Sequence, residues 1–126
     1  MRHIERVASE RRTVLPSVLM GDLNASEDFP APASLKRAFM DAFRAADPDE
    51  PGFSDPGFSD LQQIGAATAT VSQRYDYIFV VPGARGTGSV VSSRVALNAR
   101  RRYADGTVLW PSDHYGVLAE LELTTR

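Results

Sequence analysis

Apolar residues come in short runs broken by polar loops, with two helical stripes and one strict alternation. Within residues 2–13, Ile4, Val7 and Ala8 form a narrow stripe among Glu5, Arg6, Glu10, Arg11 and Arg12, which predicts a short polar helix. Pro16 blocks its continuation. Ser17-Val18-Leu19-Met20 is a brief apolar run closed by Gly21, and predicts a buried strand with a turn after it. Leu35, Ala38, Phe39, Ala42, Phe43 and Ala46 recur at helical spacing. They predict one helix over about 35–46, with Ser34 as N-cap and Asp47-Pro48 as its stop. Strand-like segments dominate the rest. Ala67 to Val71 is Thr- and Ala-rich, Tyr75 to Val81 is almost wholly β-favouring, and Val90 to Leu97 is weaker. From Gly116 to Leu123, Val117, Ala119, Leu121 and Leu123 share one face, opposite Glu120 and Glu122.

Residues 47–60 read as loop and hold a tandem duplication, Pro51-Gly-Phe-Ser-Asp55 and then Pro56-Gly-Phe-Ser-Asp60. Two copies of five residues are too short for a solenoid. A slipped duplication in a surface loop explains them, with Phe53 and Phe58 as a small apolar lip. Gly83 to Gly88 is a flexible loop and not a domain boundary, so residues 1–126 read as a single domain.

Composition narrows the chemistry. With 14 Lys and Arg against 16 Asp and Glu, the formal charge of −2 makes no electrostatic magnet for nucleic acid or anionic lipid. Phosphate affinity would have to come from local arginines or a bound cation. The absence of cysteine excludes disulfides, thiolate nucleophiles and Cys-based zinc sites. No apolar run has the length of a bilayer span. Nothing in the sequence assigns a compartment, and the cytoplasm stands as the default.

Three motifs carry candidate chemistry. In Gly21-Asp22-Leu23-Asn24, Asp22 can accept a proton from water or approach a cation, and Asn24 can donate to a phosphoryl oxygen. Taken alone, this reads as a Gly-Asp turn with a self-bonding Asn. Asp76 interrupts an apolar strand, where a carboxylate is costly unless paired. It either faces solvent or pairs with a cation or an imidazole. In Ser112-Asp113-His114, His114 is either a general acid or base or a turn histidine, and Asp113 is a candidate Mg²⁺ ligand. An Asp76 carboxylate on one nitrogen of His114 would orient the ring and stabilise its charged form. The dense basic cluster of residues 98–103 includes Arg101 and is either a solvated loop or a phosphate contact. Trp110 either stacks on substrate or packs beneath the loop.

The order Met20-Gly-Asp-Leu-Asn-Ala25, then Gln73-Arg-Tyr-Asp-Tyr-Ile-Phe-Val80, then Ser112-Asp-His-Tyr-Gly-Val117 resembles the second half of the endonuclease/exonuclease/phosphatase superfamily. The resemblance implies an α/β fold: half of a four-layer α/β/β/α sandwich, with a mixed or mainly antiparallel sheet and helices on one face. It also implies hydrolysis of a phosphodiester or phosphomonoester with Mg²⁺ or Mn²⁺. Asp22 would orient or deprotonate the attacking water, and Asn24 would contact the scissile phosphate. Asp76 would pair with His114, which meets the phosphate or moves a proton. Asp113, with Asp22, would hold the metal, and Arg101 and Trp110 would touch substrate.

Family members of this kind act on nucleic acids, inositol phosphates or phospholipids. The family's first half brings an Asn, a metal-binding Glu and a strand-end His that Glu5, Glu10 and His3 do not match. The chain is therefore expected to be an incomplete domain, weakly active or inactive alone. Its sheet is expected to present an apolar face that pairs with itself or with a complementing N-terminal half. The alternative is a non-catalytic remnant that binds phosphate or protein.

Overall fold

The computed structural model describes residues 3, 6, 15–55, 71–83 and 86–125. His3 and Arg6 are helical, and the remainder of the helix expected over 2–13 lies outside the described residues. The second copy of the duplication and residues 67–70 of one expected strand lie outside them too. The named elements are β1 (Ser17–Asp22), α1 (Pro30–Ala38), β2 (Met40–Asp41), α2 (Ala42–Ala46), β3 (Asp76–Val81), β4 (Gly86–Ala96), β5 (Arg101–Arg102), β6 (Val108–Leu109) and β7 (Gly116–Thr125).

The architecture is α/β, and every described pairing of these strands is antiparallel. Among the described residues they form three small sheets rather than one: β1-β3-β2, β4-β7 and β5-β6. The central strand β3 is the β-favouring run beginning at Tyr75, and its register on β1 sets Asp22 opposite Asp76. Directly paired residues point to the same side of a sheet. Tyr77, Phe79 and Val81 therefore share one face with Leu19, and pack with Leu35 and Phe39 into the core under α1. The opposite face carries Val18 and Met20 beside Val80 and Ile78, and ends in Asp22 and Asp76. Strand β7 keeps the expected alternation from Val117 to Leu121, with Val117, Ala119 and Leu121 half-buried and Leu118 exposed, but Leu123 is exposed.

The single helix over 35–46 is corrected to two. Helix α1 starts earlier, with Phe29 as N-cap and Pro30 within its first turn, so Ser34 is an interior residue. Phe39 is extended, and Met40 and Asp41 pair with Val80 and Phe79 of β3 before α2 begins. The Asp41 carboxylate caps α2 by accepting from the Phe43 and Arg44 N–H groups. Leu35 and Phe39 join the core on β3, whereas the buried Phe43 of α2 lies against the guanidinium groups of Arg44 and Arg74, yet the apolar stripe runs through the break and conceals it. The basic segment also differs from a plain loop, because Arg101 and Arg102 pair with Leu109 and Val108 in a small hairpin. No helix among the described residues is long and apolar enough to cross a membrane.

A polar cluster locks the residues just before β3. Arg74 is 2% exposed and donates to both oxygens of Asp41 at 2.8 and 2.6 Å. Its guanidinium also lies over the rings of Tyr77 and Phe43. Glu27 accepts two hydrogen bonds from Arg44, at 3.0 and 2.5 Å, and one from Lys36. The Arg44 bond, outweighing partial burial and helped by Lys36, holds the Glu27 carboxyl at about 2 instead of 4.5. A depressed carboxylate stabilises the fold above its unfolded value, and that stability goes as pH falls through the folded one. Acidification from 4.5 towards 2 is expected to remove roughly 3 kcal/mol through this group alone. Urea unfolding at stepped acid pH checks it: Glu27→Gln flattens the curve, and an equally steep curve in that variant refutes the assignment.

Candidate active site

Three chain segments deliver the site. At the end of β1, Asp22 accepts the backbone N–H of Asn24 on Oδ1 at 2.7 Å and its side-chain amide on Oδ2 at 3.0 Å. Asn24 sits in the left-handed region with φ 47°, a conformation Asn tolerates because its amide bonds locally. The turn reading of this motif is thus correct, and it also aims the Asp22 carboxylate across to Asp76. Asp76 opens β3 on the face away from the helices. His114 arrives on the segment before β7, its N–H donating to Ser112 Oγ at 3.2 Å.

Of the four groups expected at a common rim, the structure brings together Asp22, Asp76 and His114. His114 Nδ1 lies 2.9 Å from Asp76 Oδ2. Ligand atoms of Asp22, Asp76 and His114 all fall within 4.8 Å of one another. Asp76 is therefore paired with an imidazole. A shallow groove of about 180 Å³, lined by Met20, Gly21, Ile78 and Val117 among others, opens beside it. Partial burial disfavours the charged imidazole, but the Asp76 hydrogen bond and the charges of Asp76, Asp55 and Asp22 outweigh it. The result is a His114 pKa above the ordinary 6.5.

Three further expected site residues have other surroundings. Asp113 is exposed, accepts from Ser112 Oγ at 3.0 Å, and is not among the three convergent donors. Arg101 lies on the exposed hairpin with its guanidinium over Tyr103. The Trp110 ring packs at 6.0 Å from Tyr115, and its Nε1 is buried without a partner among the described residues.

Sequence reasoning missed Ser54 and Asp55, both buried and both from the first Pro-Gly-Phe-Ser-Asp copy. Ser54 Oγ donates to Asp76 Oδ2 at 2.6 Å and accepts the N–H groups of Tyr75 and Asp76. Its carbonyl accepts Tyr115 N–H at 2.8 Å, tying β3 to the His114 segment. Asp55 Oδ1 stands 3.4 Å from His114 Nε2. Gly52 makes the approach possible: its φ is +64°, and a Cβ there would lie 2.6 Å from the Phe43 ring. The Pro-Gly turn was a signal for a bend. Nothing local revealed that the Ser-Asp after it faces inward.

A family model described as "Endonuclease/Exonuclease/phosphatase family" matches residues 4–114. The chain therefore belongs to the endonuclease/exonuclease/phosphatase family, a class of phosphoester hydrolases. No curated protein and no solved structure gives a match.

Proposed function

We propose that this chain hydrolyses a phosphodiester or phosphomonoester with a divalent cation, Mg²⁺ or Mn²⁺. The observation that carries the reading is the convergence of Asp22, Asp76 and His114, with the ring held on Asp76. The donor set fits a hard cation, because two carboxylates supply oxygens beside each other. Asp22 and Asp76 would hold it, with Asp113 as a further carboxylate next to His114. A bound cation would lend Lewis acidity to the phosphoryl group. Asp22 orients the attacking water and takes its proton. Asn24 has a second amide hydrogen for a phosphoryl oxygen. Asp76 fixes the His114 ring, and His114 Nε2 meets the phosphate or protonates the leaving oxygen. Arg101 is an outer phosphate contact, and Trp110 a wall near the His114 segment. So few close carboxylates hold a dication loosely, so turnover is slow and needs cation in excess. The test is nitrophenol release from nitrophenyl phosphate and bis(nitrophenyl) phosphate with Mg²⁺ or Mn²⁺. Hydrolysis that is lost in His114→Ala supports the reading, and an equal rate in that variant ends it.

A second reading, a protein-binding module, draws on the face that bears the site. Val18 is 43% and Met20 72% exposed there, while Val80 beside them is buried, so the uncovered apolar surface is the β1 side of that face. It fits a second copy of this chain or a complementing N-terminal segment. Self-association is expected in sedimentation runs and is expected to weaken in Met20→Lys. A wild-type protein that stays monomeric at high concentration would count against that face as an interface.

A further inference from the structure

His114 is approached from both sides. Nδ1 faces Asp76 Oδ2 at 2.9 Å, and Nε2 faces Asp55 Oδ1 at 3.4 Å. The hydrogen-bond inventory fixes the arrangement at Nδ1. Ser54 Oγ accepts two backbone N–H groups, so its one hydrogen goes to Asp76 Oδ2. That oxygen is an acceptor on both counts, and Nδ1 carries the proton. Nε2 is the nitrogen left for a phosphate, and a carboxylate already stands there.

Asp55 is not a loose side chain. Its N–H donates to the Gln73 carbonyl at 3.0 Å, and its own carbonyl accepts Ser72 and Gln73 N–H groups. Its side chain is 12% exposed. Gln73 is anchored in turn by Ser26 Oγ, which donates to its Oε1 at 2.5 Å. The backbone thus holds the carboxylate beside the ring. A phosphate oxygen and the Asp55 carboxylate cannot both take the single hydrogen of Nε2, and their like charges repel.

We propose that Asp55 is a positioning residue that holds Nε2 of His114 in the free protein, and that a phosphate group reaches this nitrogen only in exchange for it. The proposal rests on the phosphoester reading above and adds to it a resident competitor for the phosphate.

The probe is inorganic phosphate titrated into the full chain with Mg²⁺ present, followed by NMR of the His114 ring nitrogens and the Asp55 side-chain carboxyl. Both signals are expected to move with one midpoint. Asp55→Asn keeps the size and the backbone bridge but removes the charge. It is expected to shift the Nε2 resonance before phosphate is added, and to tighten phosphate binding at His114 by about tenfold. A His114 response with Asp55 silent in the wild-type protein overturns the proposal, and that arm does not depend on any variant folding. Equal affinity in Asp55→Asn overturns it too, and both results leave the phosphoester reading standing. Phosphate that perturbs His114 in neither protein overturns the phosphoester reading, and the exchange with it.

Discussion

His114→Ala is expected to lower phosphoester hydrolysis by roughly two to four orders of magnitude, the usual worth of a positioned acid or base. Among Asp22, Asp76 and His114, the ring is the group that can meet an anion with a positive edge. Asp22 and Asp76 beside it are carboxylates, and Asn24 Nδ2 already spends one donor on Asp22 Oδ2. Loss of the ring also leaves Asp76 Oδ2 with only the Ser54 hydroxyl as a side-chain donor. Asp76→Asn is expected to act in the same direction, because an amide facing Nδ1 no longer selects the ring's orientation. The pH profile supplies a second check. Burial works against the charged ring, but Asp76, Asp55 and Asp22 raise its proton affinity above the ordinary 6.5. In the cation-free protein the ring therefore keeps its proton to higher pH than a free imidazole, and loses it as pH rises through the raised value. An NMR titration of the ring nitrogens without added cation tests this, and a midpoint at or below 6.5 contradicts it.

The site was legible where chemistry coincided with a strand end. Asp22 and Asp76 flank apolar runs whose termini are easy to read, and the β1–β3 register places them opposite each other. The cost of an unpaired carboxylate in an apolar strand called for some partner for Asp76, and it was the family resemblance that implied His114. Ser54 and Asp55 were illegible for the converse reason. They sit in a segment whose repetition suggested a surface loop, and their partners Asp76 and His114 are 22 and 59 positions away. Periodicity sees neighbours in sequence, and no local pattern shows which loop folds inward. The split helix failed in the same way. A two-residue strand leaves the apolar stripe in phase, although Asp41 in front of Ala42 carried a cap signal that could have marked the break.

The pair of Asp22 and Asp76 is held from behind by residues that do no chemistry. Arg74 sits two positions before Asp76 and is fixed by Asp41 on one side and by two aromatic rings on the other. Its carbonyl also accepts the Tyr77 hydroxyl at 2.7 Å. The first residue of β3 thus inherits its position from a buried ion pair on the helix-covered face of the sheet.

Asp41→Ala is accordingly expected to be the most destabilising polar substitution in this fold. It strips the partner from a guanidinium that is 2% exposed, which typically costs about 3–5 kcal/mol because the remaining charge stays buried. It also removes the cap of α2, worth about 1 kcal/mol. The two losses share one side chain and do not simply add. Glu27, 3.5 Å from the same guanidinium, recovers part of the charge balance. About 4 kcal/mol is the expected total, a large share of the roughly 5–15 kcal/mol that holds a domain together. Asp41→Asn keeps an oxygen for the cap and isolates the charge, so it is expected to retain about the 1 kcal/mol of the cap. Removing Arg74 as well, in Asp41→Ala with Arg74→Met, is expected to recover stability relative to Asp41→Ala alone, because no buried charge is then left bare. Urea midpoints of these three variants decide the matter. If Asp41→Ala costs less than about 1 kcal/mol, the charge finds water, and the buried pair is not what fixes the start of β3.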